Sequence, residues 1–448
     1  MCQSDFSLEE FRSRRQKVRA AIGGATALIA GAPTPNGMLA FRQFNDFYYL
    51  CGVEVPHAYL LMEGPSGRTT LFLPQARHLV HDSDAPMLCA DDPAYALQAT
   101  GVDAVEPPAA LERHLAGVRT LYTFIRDGEG HRTCVRSIDD AWKQVCADPW
   151  ADQPGRSAYI CSKLKARFPQ MEIRELQPII YEMRMDKSPR EVALIRRASQ
   201  LAAFGLIEAM RATRPGVMEY QLAALLHYHY RAGGATDESY PAIVGGGRNA
   251  FHGHYHANRS PLNAGDLVLV DGAPDYHNYT SDITRMWPVS GRYTPAQRAL
   301  YGFVTAYHKT LLSAIRPGRT CSQIEEEAAE IMRGRLHEFE FASASHASGP
   351  QWMFNFKNHL AHSVGLSVHD GLSHKDVPLR PGVVFSVDPQ MKIEADRLYL
   401  RVEDTGVVTE NGFDVLTKDA PLELDAIEAL MQGPSLLDSF PPMPGPRA

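Results

Sequence analysis

Asp271, Asp282, His362, Asp388 and Glu403 are scattered over the C-terminal half of the chain, yet most stand at the edge of a short apolar run. Leu267-Val-Leu-Val-Asp271 and Phe385-Ser-Val-Asp388 end in a carboxylate, Asp282 opens Asp282-Ile-Thr-Arg285, and Glu403 follows Arg401-Val402. They can form a single site only if the chain brings strand ends together. As a set they look like a dinuclear metal centre. Four carboxylates and one imidazole suit two hard divalent cations such as manganese, whereas a thiolate-rich set would suit structural zinc.

Asp282 follows Asp271 after a connection containing Pro274, Asn278 and Tyr279. That spacing predicts two antiparallel strands that place both carboxylates beside one cation. His362 shares a short segment with His359 and His369, an unusual density for imidazoles that mostly make ordinary hydrogen bonds. His252, His254 and His256 alternate, so on a strand they would share one face. That array could hold a metal, form a polar strand edge, or turn one histidine toward a substrate. Gly245, Gly246 and Gly247 belong to neither phosphate-loop pattern and read as a flexible connection. Cys51 has no evident partner for a nucleophilic role.

A chain of 448 residues implies two domains. The net charge is −7 with no Lys/Arg block, which argues against nucleic acid or a membrane surface as partner. No apolar run reaches the roughly 18–20 residues of a membrane span. The start, Met-Cys-Gln-Ser-Asp, lacks the basic and apolar regions of a signal peptide, and the seven cysteines are scattered without a CxxC pair. Both features point to free thiols and a cytoplasmic protein.

Residues 1–182 alternate strand-like runs (Ala27-Leu-Ile-Ala, Tyr59-Leu-Leu-Met, Thr70-Leu-Phe-Leu) with helical patterns at 8–21, 138–146 and 157–168, the pattern of an α/β domain. Lys187-Ser188-Pro189-Arg190-Glu191 is a helix start, with a capping serine, a proline in the first turn and a glutamate at the positive end of the dipole. A second domain, 183–432, is expected to carry helices at 189–211, 219–232, 295–315 and 322–337. The Pro/Gly-rich tail, 433–448, is expected to be disordered.

Taken together, these segments resemble the aminopeptidase P/prolidase family of metallopeptidases. The resemblance rests on Phe41-Arg-Gln-Phe-Asn-Asp-Phe-Tyr-Tyr-Leu-Cys-Gly52, Gly265-Asp-Leu-Val-Leu-Val-Asp271, Thr280-Ser-Asp282-Ile-Thr-Arg285 through Pro288, and Leu398-Tyr-Leu-Arg401-Val-Glu403-Asp404. It implies an α+β pita-bread catalytic domain behind an α/β N-terminal domain. The implied activity is cleavage between an N-terminal residue and a following proline, and the implied assembly is a homodimer. The resemblance makes Asp271, Asp282, His362, Asp388 and Glu403 ligands of two divalent ions, manganese first, with cobalt or zinc as alternatives. Asp388 would also accept a proton, His254 and His369 would face the substrate and the tetrahedral intermediate, and Arg401 would stand beside them. Tyr240, Trp352 and Phe354 are candidates for an aromatic wall around proline.

The chain departs from the family pattern twice. Asp388-Pro389-Gln390 stands where Glu-Pro-Gly is usual, which retracts the carboxylate by about one C–C bond, roughly 1.5 Å. Asn358 stands where many members have a histidine, with His359 next to it. The rival readings are a prolidase acting on dipeptides, a creatinase-like hydrolase, and a peptide-binding scaffold without catalysis.

Overall fold

The computed structural model describes residues 3–35, 37–64, 66–80, 86–151, 155–371, 374–375 and 377–439. The chain divides into two compact units, Met1–Arg184 and Met185–Ala448.

Among its described residues the first unit is built on a six-stranded mixed sheet. Its strands are β1 (Thr26–Ala30), β2 (Tyr59–Met62), β3 (Thr69–Phe72), β4 (Ala104–Glu106), β5 (Thr120–Thr123) and β6 (Glu172–Glu175), in the order β4-β3-β2-β1-β5-β6. The pairs β1–β2 and β2–β3 are antiparallel, and β3–β4, β1–β5 and β5–β6 are parallel. The parallel pairs need helical crossovers, supplied by the helices Pro93–Thr100, Val135–Ala147 and Arg156–Arg167. Leu28, Leu61, Phe72, Leu121 and Leu164 are buried together between sheet and helices. This is the α/β pattern that the apolar runs predict.

The second unit contains β7 (Asp237–Glu238), β8 (Ile243–Gly246), β9 (Leu267–Asp271), β10 (Pro274–Asp275), β11 (Ile283–Pro288), β12 (Leu360–Ser363), β13 (Val384–Val387), β14 (Gln390–Ile393), β15 (Leu398–Arg401), β16 (Glu403–Thr409) and β17 (Gly412–Val415). Its main sheet runs β12-β13-β16-β11-β9-β8, with β17 on β16, and every pair is antiparallel. The long helix Pro189–Ala212 starts at the expected cap. Ser188 Oγ accepts from Glu191 N–H at 3.3 Å, and the Glu191 carboxylate accepts from Ser188 N–H at 2.9 Å. The helices Glu219–Ala232, Pro295–Ala314 and Cys321–Gly334 fall where the sequence pattern places them. They bury Leu206, Leu226, Phe303, Tyr307 and Ile324 in one core with Val268, Val270 and Trp287.

Three local expectations change. Gly245 and Gly246 are residues of β8, not a flexible connection, and a Cβ at Gly245 would come within 2.9 Å of the Ala250 backbone nitrogen. Glycine at 245 lets the following turn pack closely on the strand. The His252–His256 segment is not a strand: a 3₁₀ turn, Gly247–His252, leads into irregular backbone. A helix at Ala344–Asn355 was not anticipated, since it carries serines, a glycine and an internal Pro350, all weak helix formers. In the tail, Leu436–Ser439 forms a short helix, and 440–448 lie outside the described residues. Cys2 also lies outside them, and the other six cysteines are free thiols.

Candidate metal centre

Strand register assembles the site. Thr284 on β11 pairs with Asp271 on β9 to one side and with Glu403 on β16 to the other. Residues directly opposite in a sheet share a face, so Asp271, Thr284 and Glu403 form one row across three strands. Asp282 lies two residues before Thr284 and therefore shares that face. Ser386 on β13 pairs with Thr405 on β16, and Asp388, two residues on from Ser386, returns to the same face beside Glu403.

His362 completes the cluster from β12. Its Nε2 lies 3.4 Å from Asp282 and 3.8 Å from Glu403, and one ligand atom each from Asp282, His362 and Glu403 fall within 4.8 Å of one another. His369 packs its ring on His362, with centroids 3.9 Å apart. Asp271 and Asp388 are tied to the trio through Arg401. The guanidinium forms a close ion pair with Asp271 Oδ2, and its Nε stands 3.9 Å from Asp388 Oδ1.

Burial and crowding of like charge dominate the electrostatics. Burial, reinforced by the Glu403 and Asp271 charges, raises the Asp282 carboxyl well above its usual range. Burial and Glu403 do the same to Asp388. Burial lifts Glu403 to about 7, the neighbouring Asp271 adds to the rise, and Arg401 opposes it. Burial and the adjacent His369 hold the His362 imidazole below its ordinary value, in the neutral form that ligates metals. The nearby cation Arg401 is kept charged by Asp271, Asp388 and Glu403 against the effect of burial. A set of buried carboxylates with too little positive charge is the donor chemistry that divalent cations complete. Asp388 Oδ1, moreover, is buried and has no hydrogen-bond partner among the described residues. The residues therefore fit such ions.

Three features of the site were not readable beforehand. The Tyr240 hydroxyl lies 2.7 Å from Asp271 Oδ1 and 2.6 Å from Asp282 Oδ1. The phenol has one proton and can donate to only one of them, and the Asp282 carboxyl, held above its usual range, can carry the proton of the other contact; Tyr240 therefore bridges the two carboxyl groups and is not simply a wall for proline. The Gln390 amide donates to Asp388 Oδ2 at 2.6 Å. Lys187, buried, pairs with Asp370 at 3.0 Å and so anchors the loop next to His369. Gly365 permits that pairing, because a Cβ there would clash with Asp370 Oδ2 and stand 2.9 Å from Lys187 Cε.

Of the other candidates, Phe354 is buried against Phe303 and Tyr307 in the core, and Trp352 stacks on Phe356. His359 does not stand in for the histidine replaced by Asn358. It is fully buried, hydrogen-bonded to Met353 O at 2.9 Å and packed on Tyr307, and burial lowers its pKa to about 4. His254 is exposed and stacks on His256, whose Nδ1 hydrogen-bonds to Pro241 O at 3.0 Å beside Tyr240. The His254 segment is thus tied to Pro241, the residue after Tyr240.

Behind the sheet, on the opposite face, Arg285 pairs with Asp404 at 2.8 Å and donates to Glu403 O at 2.8 Å. Asp404 also accepts from Thr417 Oγ1 at 2.5 Å and lies 2.7 Å from His308 Nε2. Arg285 and His308 hold the Asp404 carboxyl far below its usual range although burial pushes it up.

Comparison with known proteins shows the family. Residues 193–410 match metallopeptidase family M24, and residues 11–122 match the aminopeptidase P N-terminal domain. The Xaa-Pro aminopeptidase of Escherichia coli (strain K12) is 31% identical over 459 residues, covering 96% of this chain and 98% of the relative. The structure of proline aminopeptidase P II from Yersinia pestis has a TM-score of 0.77 at 28% identity and covers 95% of this chain and 100% of that one. Zinc-substituted E. coli aminopeptidase P in complex with product has a TM-score of 0.74 at 28% identity, with 96% and 99% covered.

Proposed function

The chain belongs to metallopeptidase family M24, and we propose that it hydrolyses the bond between an N-terminal residue and a following proline with two divalent ions held by Asp271, Asp282, His362, Asp388 and Glu403. The observation that carries this reading is the row Asp271–Thr284–Glu403, with Asp282, His362 and Asp388 around it on one face. When bound, the ions lower the pKa of water to near neutrality and polarise the scissile carbonyl.

The chain's own groups do the rest. Thr284 Oγ1 donates to Glu403 Oε2 at 3.0 Å and fixes its rotation, while Tyr240 holds Asp271 and Asp282 together. Asp388 Oδ1, the buried oxygen without a donor, accepts the proton released on attack. His369 and His254 donate to the carbonyl oxygen and to the leaving nitrogen. A prolyl amide has no N–H, so that nitrogen must receive a proton to leave. Manganese suits the oxygen-rich set best, and the zinc-substituted relative supports zinc as an alternative. The resemblance supports a homodimer. No helix among the described residues is long and apolar enough to cross a membrane, and the six free thiols support a reducing, cytoplasmic setting.

The test is hydrolysis of Xaa-Pro-Xaa tripeptides and Xaa-Pro dipeptides after chelation and after re-addition of manganese, cobalt or zinc. Metal-restored cleavage of the tripeptide is the expected result. Cleavage confined to the dipeptide would make the enzyme a prolidase, and no cleavage by folded protein with any metal would overturn the reading.

A further inference from the structure

We propose that Gln390 is a positioning residue for Asp388, holding Oδ2 so that Oδ1 is the one oxygen of this short carboxylate left to face the centre. The inference rests on the metallopeptidase reading above. It starts from backbone register: in the two-stranded β14–β15 ribbon, Gln390 pairs directly with Arg401, so both side chains project from the same face. Asp388 lies between them. The Gln390 amide donates to Oδ2 at 2.6 Å on one side, and on the other Arg401 Nε, buried and without a hydrogen-bond partner among the described residues, stands 3.9 Å from Oδ1.

Those two contacts pull in opposite directions. Arg401 already pairs with Asp271, and its free Nε–H offers Asp388 a second, charge-assisted bond if the carboxylate rotates toward it. In that position Oδ1 would serve the guanidinium and not the centre. A neutral amide opposite the arginine blocks that rotation, because turning away would break the 2.6 Å bond and strip Oδ2 of the buried Asp388 of this donor. An aspartate needs such a brace more than a glutamate does. Its carboxylate is roughly 1.5 Å shorter in reach and cannot recover a misplaced oxygen by adjusting a further torsion. Asp388 and Gln390 are thus a coupled pair, and the glycine that usually follows Glu-Pro would leave this aspartate unbraced.

The test is manganese titration calorimetry on the full-length protein, with thermal denaturation in chelator as the structural control. Gln390→Met keeps the volume and removes the donor. It is expected to weaken manganese binding by about tenfold or more, the usual scale for removing a group that orients a ligand, while the melting temperature in chelator stays near that of the unsubstituted protein. Gln390→Gly is expected to act the same way, but to cause no further loss when introduced into Asp388→Glu, whose longer side chain does not depend on the amide. Manganese affinity unchanged in both Gln390→Met and Gln390→Gly would overturn the proposal. So would equal losses from Gln390→Gly in the two backgrounds. Absence of manganese binding by the unsubstituted protein would instead overturn the metallopeptidase reading, and this inference with it.

Discussion

Glu403→Gln is expected to remove metal-dependent turnover while making the metal-free protein more stable. Glu403 ends the row Asp271–Thr284–Glu403, paired across the sheet with Thr284 and within 3.8 Å of His362. Loss of a proposed ligand would remove transition-state stabilisation of several kcal/mol, so kcat/KM should fall by about a thousand-fold or more. The stability effect has the opposite sign. Burial and Asp271 raise Glu403 from 4.5 to about 7, so between those values the native chain holds a proton that the unfolded chain has released. Metal-free stability therefore falls as pH rises through this window, and the full penalty, on the order of 3 kcal/mol or less, is present above it. Glutamine carries no charge and lacks that penalty. Urea denaturation in chelator at pH 5 and pH 8 should show a smaller pH-dependent loss for the variant than for the unsubstituted protein. Turnover that survives the substitution would mean that Glu403 is not a ligand.

Arg285→Met should cost stability rather than chemistry. Arg285 and Asp404 are almost completely buried, and the same guanidinium donates to Glu403 O and, at 3.1 Å, to Pro421 O. Removing it leaves Asp404 charged, with His308 and Thr417 as its remaining side-chain partners among the described residues, and so costs about 3–5 kcal/mol. Arg285→Lys should recover little of that loss, since an ammonium cannot span a carboxylate and two backbone carbonyls at once. Denaturation midpoints with and without metal measure both variants. A loss below about 1 kcal/mol for Arg285→Met would show that the Asp404 network carries no structural load.

What could be read in advance was local chemistry. Ser188 and Glu191 cap a helix with atoms a few residues apart, and Leu267-Val-Leu-Val-Asp271 needs only its own pattern to become a strand ending in a ligand. Four of the five proposed ligands are carboxylates beside short apolar runs, visible in the chain itself, and the family resemblance adds His362 and assigns all five their role. What could not be read depends on register or on distant packing. Tyr240 touches Asp271 and Asp282 only once β8, β9 and β11 lie side by side. Gln390 reaches Asp388 because a hairpin turns it opposite Arg401. His359 looks like part of a histidine motif, yet Tyr307 and Met353 draw it into the core. The alternating histidines suggest a strand, and Gly253, with φ 66° beyond the 3₁₀ turn, instead leads them away from one.

The central claim is that Asp271, Asp282, His362, Asp388 and Glu403 together hold two ions. Anomalous diffraction from crystals grown with manganese tests it most directly. Two peaks about 3.5–4 Å apart, bounded by all five side chains, are the result expected of a hydrolytic dinuclear centre. No peak, or a single peak held by Asp282, His362 and Glu403 while Asp271 stays paired with Arg401, would contradict it.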